Sequence, residues 1–272
     1  MMSIEEARNI LFDKFSNIEF IEEGHKYYVR IGKKRDSYTS VSNIIKKYIV
    51  PFETDKVATN YAIKHNLNKD DVIRDWKYNN LCSTISGSRT HLYGEGYTWL
   101  KSNCIDKIPS EIYKQYVKEE NWLIPTSHKE ESVKKFYDEL SPSIQPVGAE
   151  FIMSSQYIEN CNLKICGTAD ILFYYNHPTD ENKSGFIIGD WKTNKDLFSK
   201  YKRDNKINMY PPFDDMIDED FSHYTLQFNL YQLMMESVGI KIIGRRLIWL
   251  KDDGYQIFKI NDITDKVRKI LC

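Results

Sequence analysis

Asp170, Asp190 and Lys192 are the residues of this chain whose types and spacing first suggest chemistry. Asp170 lies in GTADILFYY, and Asp190 and Lys192 lie in GFIIGDWKT, two apolar runs that read as neighbouring strands. The polar stretch from Asn176 to Ser184 between them reads as a hairpin loop. Such a hairpin sets the two carboxylates side by side. Strand side chains alternate, so Asp190 and Lys192 share one face while Trp191 points the other way. Two carboxylates so placed suit a hard cation such as Mg²⁺ or Mn²⁺. A cation there polarises a phosphoryl oxygen and lowers the pKa of a bound water, and an ammonium beside it orients that water. The chemistry expected is phosphodiester hydrolysis. A solvated strand end carries the same residue types, so the three residues do not decide between the two.

Other candidates stand around them. Gly87-Ser88-Arg89-Thr90-His91 reads as a helix start, with Gly87 interrupting the helical pattern of 55–99. His91 offers a neutral nitrogen ligand, or is simply a packed histidine. Glu95 lies one turn on, and Glu150 opens the strand before Asp170; alone, neither says much. In HYTLQFNLYQLMMESV, Gln227 and Tyr231 share a helix face, while Leu226, Leu230, Leu233 and Met234 belong to the core face. The Gln–Tyr pair suits a phosphate or a base, or is the polar stripe of an amphipathic helix. KDLFSKYKRDNK, residues 195–206, is locally basic with aromatics interleaved. Lys195, Lys200, Lys202 and Arg203, with Arg89, are candidate phosphate contacts, and Tyr201 is a candidate base-stacking residue. A solvated loop has the same look. The acidic run from Asp214-Asp215 through Asp218-Glu219-Asp220 reads as a solvated loop, since it lacks the glycine and spacing of a calcium loop.

The elements that must position these residues follow from periodicity. Helix is expected over 3–15, with Ser3 and Glu6 as a capping box, and over 39–48, 55–99, 111–140, 223–238 and 262–271. Strands are expected within 18–38 around two turns, then over 149–158, 163–175 and 185–193, with a last hairpin over 240–250 and 255–260. The fold class expected is α/β of the α+β kind, a central mixed sheet flanked by helices with an N-terminal helical region. One domain would span 1–272, with 147–260 as the catalytic sheet core and 55–145 forming an arch or lid over it.

The formal net charge is −1, so nucleic-acid contact would come from a local patch rather than from the whole surface. No apolar stretch of about 18 residues reads as a membrane span. MMSIEEARNI does not read as a secretion signal, so the expected location is cytoplasmic, in a bacterium or a phage-infected host. The 5 cysteines include no CxxC pair and read as reduced thiols. No GxxxxGK[ST] occurs, so neither a nucleotide cofactor nor an ATP-driven motor is expected.

Taken in order, Gly87-Ser88-Arg89-Thr90-His91, a glutamate, Gly167-Thr168-Ala169-Asp170, Asp190-Trp191-Lys192 and Gln227-Phe228-Asn229-Leu230-Tyr231 resemble the RecB-like branch of the PD-(D/E)XK nuclease superfamily. HKYYV (25–29) and YTSVSNII (38–45) resemble the phage-type and mitochondrial-genome-maintenance-type exonucleases of that branch. The resemblance covers residues 25–250. It implies a restriction-endonuclease-like core in which Asp170 and Asp190 bind Mg²⁺ or Mn²⁺, with His91 and the main chain at Trp191 as further ligands. It implies that Lys192 assists the attacking water and that Gln227 and Tyr231 hold the DNA or the site. Glu150 matches an acid found before the first motif strand. Proline is absent before Asp170. Some relatives hold an iron–sulfur cluster with three late cysteines; here only Cys272 is late, so no cluster is expected. The implied activity is a metal-dependent exonuclease on single-stranded or end-bearing DNA, in replication, recombination or repair. A helicase, polymerase or recombinase would be a separate partner. A structure-specific or nicking endonuclease, and an inactive nucleic-acid-binding protein, are the alternatives.

Overall fold

In the computed structural model, which describes residues 2–116 and 123–271, the first helix starts where the capping signal places it. The Ser3 hydroxyl accepts from the Glu6 N–H and the Glu6 carboxylate accepts from the Ser3 N–H, so α1 (Ile4–Phe15) begins with two end donors satisfied. Its buried stripe of Ala7, Leu11 and Phe15 packs on the body. Two turns then yield three strands: β1 (Ile18–Ile21), β2 (Lys26–Ile31) and β3 (Lys34–Ser40) form an antiparallel meander. Gly24 and His25 carry the first reversal in the left-handed region, with φ of 79° and 51°. Ser40 caps the short α2 (Val41–Ile45).

The helical region begins with α3 (Thr54–His65) and the long α4 (Lys69–Lys101). Gly87 starts no helix; it lies inside α4. A Cβ at Gly87 would sit 3.0 Å from Thr193 Oγ1, and one at Gly94 would sit 2.6 Å from Trp191 Nε1. These glycines, on one helix face, let α4 approach the end of a sheet strand closely. Between α3 and the first half of α4, Ala58, Ala62 and Val72 form a small core of their own, with Trp76 beside it. Helices α5 (Ser110–Tyr116) and α6 (His128–Asp138) follow; the helix expected over 111–140 falls partly outside the described residues. No helix among the described residues is long and apolar enough to cross a membrane.

The sheet is completed by β4 (Ile144–Ser154), β5 (Ile165–Tyr175), β6 (Gly185–Lys192), β7 (Ile242–Lys251) and β8 (Gly254–Lys259). The result is a mixed, 8-stranded sheet, parallel at β3–β5 and β6–β7 and antiparallel elsewhere. Helix α8 (Asp220–Glu236) packs on one face through Leu226, Leu230, Leu233 and Met234, all buried. Helices α4 and α6 cover the other face, where Trp191 meets Phe136 edge-on at 5.2 Å. The last helix, α9 (Thr264–Leu271), leans on α8. The class is α+β, with the sheet held between helices.

One feature of strand pairing positions the site. Ile171 pairs with Ala149 of β4 and with Gly189 of β6, so those strands occupy opposite edges of β5. Cys166 pairs with Ser154 of β4 and with Ser40 of β3, so β3 lies on the same edge as β6. The β5–β6 ladder ends at Ile171 and Gly189, although both strands run on. The strands fork there, and residues 167–170 face the opening.

Candidate active site

Asp170 and Asp190 occupy the two arms of this fork. The Trp191 N–H crosses it and donates to Asp170 Oδ2 at 3.0 Å, while the Trp191 ring lies buried on the far face. Asp190 is 1% exposed. Gln227 of α8 donates from Nε2 to Asp190 Oδ2 at 3.2 Å and to the Tyr231 hydroxyl at 2.9 Å. Tyr231 is buried over Gly167, where a Cβ would come within 2.4 Å of the ring. The Gln227–Tyr231 pair therefore holds an acid of the site. Lys192 Nζ stands 2.7 Å from Asp190 Oδ1 and 4.3 Å from the centre of the Tyr224 ring. The ammonium and Asp190 Oδ1 are close but not aligned as a hydrogen bond, and that buried oxygen has no hydrogen-bond partner.

Two other elements add donors. His91 lies between Gly87 and Gly94 on α4, and the close approach brings its Nδ1 to 3.1 Å from Asp170 Oδ2. Glu150 neighbours Asp170 on the β4 side. Its φ is 52°, a left-handed conformation that a strand glutamate adopts at a cost of about 1–3 kcal/mol. Glu150, Asp170 and His91, together with Glu95 of α4, line one cavity of about 1150 Å³ that runs along the opening of the fork.

The acids at the fork are shifted in opposite directions. Burial, then Asp170, pushes the Asp190 carboxyl well above its ordinary range. Burial, then Asp170 and Glu95, does the same for Glu150. Burial pushes Glu95 up to about 7. Asp170 goes the other way: burial would raise it, but His91 and then Lys192 outweigh burial and hold it ionised. Lys192 is likewise held charged, because Asp190 and Asp170 outweigh its burial. At the fork itself four acids, Glu95, Glu150, Asp170 and Asp190, thus gather around Lys192 and His91, and burial and mutual repulsion oppose full ionisation of the set. Among the described residues no three His, Cys, Asp or Glu side chains close into a ready coordination shell. An open set of carboxylate oxygens still fits Mg²⁺ or Mn²⁺, since Mg²⁺ keeps several waters and binds through one or two carboxylates.

The basic candidates divide. Lys195 is exposed and lines the cavity. Lys129 and Lys251 line it as well, and the sequence did not single them out, because they come from separate elements that only the fold brings together. Arg89 lies instead against Glu130, Nε to Oε1 at 3.3 Å, and donates to the Thr126 hydroxyl. Lys200 and Tyr201 sit on α7 (Lys200–Asp204), exposed and away from the cavity lining. Lys202 and Arg203 differ from the expectation of free cations. Lys202 pairs with Asp218 at 2.8 Å and Arg203 with Glu219 at 2.6 Å. The acidic run is correspondingly not a solvated loop at these two positions: Asp218 and Glu219 are buried. They anchor residues 195–222 to the body, with Leu197, Met209 and Phe213 buried alongside.

No protein-family model and no curated protein matches the chain.

Proposed function

We propose that this chain is a metal-dependent DNA exonuclease, akin to the RecB-like nucleases, that hydrolyses phosphodiester bonds on single-stranded or end-bearing DNA in replication, recombination or repair. The observation that carries the reading is the fork, where Asp170, Asp190 and Lys192 converge with His91 and Glu150 beside a cleft. Asp170, Asp190, His91 and the Trp191 main chain would hold Mg²⁺ or Mn²⁺. The ion supplies Lewis acidity to a phosphoryl oxygen and to the attacking water. Lys192 stays an ammonium, so it orients the water and offsets charge on phosphorus by N–H donation; it does not take the proton. Gln227 and the Trp191 N–H each fix one carboxylate. As the water oxygen bonds to phosphorus, its proton passes to solvent in the cleft, the bond from phosphorus to the leaving oxygen breaks, and that oxygen takes up a proton from solvent.

The test is digestion of end-labelled single-stranded, linear double-stranded and closed circular DNA with Mg²⁺ or Mn²⁺. The expected result is loss of DNA with ends only, reduced on the order of 10²-fold or more by Asp190→Ala and by Lys192→Ala. Cleavage of closed circles would replace the exonuclease with an endonuclease on the same site. Binding without cleavage under any condition would leave a nucleic-acid-binding protein.

A further inference from the structure

The β1–β2 turn gathers three rings that the proposed chemistry does not use. Phe20 and His25 meet edge-on with centres 4.9 Å apart, and Phe20 leans on Tyr27 at 4.9 Å. Tyr27 is the buried foundation. Its hydroxyl lies 3.2 Å from Thr168 Oγ1 and 3.3 Å from His25 Nε2. Thr168 sits on the open edge of β5, two residues before Asp170. The rings are therefore tied to the arm of the fork that carries one of the acids. Phe20 is 37% exposed, His25 is exposed, and both line the cavity that holds His91, Glu150 and Asp170.

The two walls of that cavity differ in chemistry. Lys195 and Lys251, just past β6 and at the end of β7, and Lys129 of α6 line one side, three cations with the single acid Asp252 among them. The β1–β2 wall presents Phe20 and His25 with the acidic Glu22 and no lysine or arginine. A phosphate is attracted to the first wall and repelled from the second, whereas a base offers a neutral π-face that aromatic side chains stack on. We propose that Phe20 and His25 form a stacking platform for an unpaired base, on a strand whose phosphates follow Lys129, Lys195 and Lys251 to the fork. The substrate class is then single-stranded DNA or a frayed end, in preference to a fully paired one. This inference rests on the nuclease reading above.

The experiment compares a short fluorescent single strand with the same strand carrying abasic sites. Kd is measured in chelator and KM for label release in Mg²⁺, for the wild type, Phe20→Ala and His25→Ala. The wild type is expected to bind the abasic strand about tenfold more weakly than the intact one. Phe20→Ala should lose a similar factor on the intact strand and stop distinguishing the two. Equal affinity of the wild type for both strands overturns the platform without any variant, so misfolding of Phe20→Ala cannot mask the answer. A wild type that digests DNA yet ignores abasic sites loses the platform and keeps the nuclease. A wild type that neither binds nor digests DNA loses both.

Discussion

Two clusters of buried acids in this chain are treated oppositely. At the 218–219 corner every acid is answered. Asp218 takes Lys202 at 2.8 Å, His223 at 2.6 Å and the Val50 N–H at 3.1 Å. Glu219 takes Arg203 and the Ser199 N–H. At the fork, Glu95, Glu150, Asp170 and Asp190 have only Lys192, 2.7 Å from Asp190, and His91, 3.1 Å from Asp170, in direct ion-pair contact. A buried charge is tolerated when it is paired and hydrogen-bonded, so the first cluster is complete as it stands. The second is short of positive charge. Balanced acids build the protein, and the unbalanced ones are the acids to which a cation has something to offer.

Stability should separate the two clusters most widely. Asp218→Ala removes the partner of a part-buried lysine and of His223, and is expected to cost about 3 kcal/mol. Asp190→Ala, measured in chelator, is expected to cost less than that, although it too removes the partner of a buried lysine, Lys192. The difference follows from the raised carboxyl: burial and Asp170 already oppose its charge, and losing that cost offsets part of the loss of a partner for Lys192. Urea unfolding of both variants makes the comparison. Equal losses would mean that the fork acids are structural and that the contrast is false.

Metal binding gives a smaller effect and a sharper one. Mn²⁺ or Mg²⁺ at 100 times its Kd should stabilise the wild type by about 2.7 kcal/mol, read as a rise in Tm. The rise should survive in Asp218→Asn and vanish in Asp190→Asn. A rise that follows Asp218 instead would place the cation at the corner and leave the fork without one.

How far the sequence reaches differs between these regions for a physical reason. Asp190 and Lys192 on one face, with Asp170 beside them, follow from strand period and a short hairpin, both local. The core face of α8 follows from helical period in the same way. The fork does not, because where the β5–β6 ladder stops depends on β3 competing for the same edge from far along the chain. Gly87 reads as a helix interruption when its neighbours in sequence are all that is known; its cause is Thr193, more than a hundred residues on. Lys202 and Arg203 read as free cations because their partners, Asp218 and Glu219, look like one more acidic loop. Phe20 carries no signal at all until a cavity gathers it with His25 and Glu95.

The smallest effect lies in the pH dependence of the metal-free protein, where an answered acid and an unanswered one should bend the curve at opposite ends. Asp262 accepts from the Thr264 N–H at 3.0 Å and from its hydroxyl at 2.7 Å at the start of α9, and it lies 3.1 Å from Arg245. Burial would raise this carboxyl, but Thr264 and Arg245 outweigh burial and bring it down to about 2. A lowered acid adds stability that is present above its unfolded value of 3.8 and lost as pH falls toward 2. Glu95 has the reverse sign. Raised from 4.5 to about 7, chiefly by burial, it is stabilising below 4.5 as the protonated form, and that contribution is lost as pH rises through 7. Thermal melts in chelator from acid to alkaline pH should therefore weaken at both limbs. Asp262→Asn should make the acid limb shallower and Glu95→Gln the limb between 4.5 and 7, each leaving the part that Asp170, or Glu150 and Asp190, carry. If Glu95→Gln leaves that limb in place, Glu95 is solvated like an ordinary surface acid, and the charge imbalance at the fork is smaller by one carboxylate.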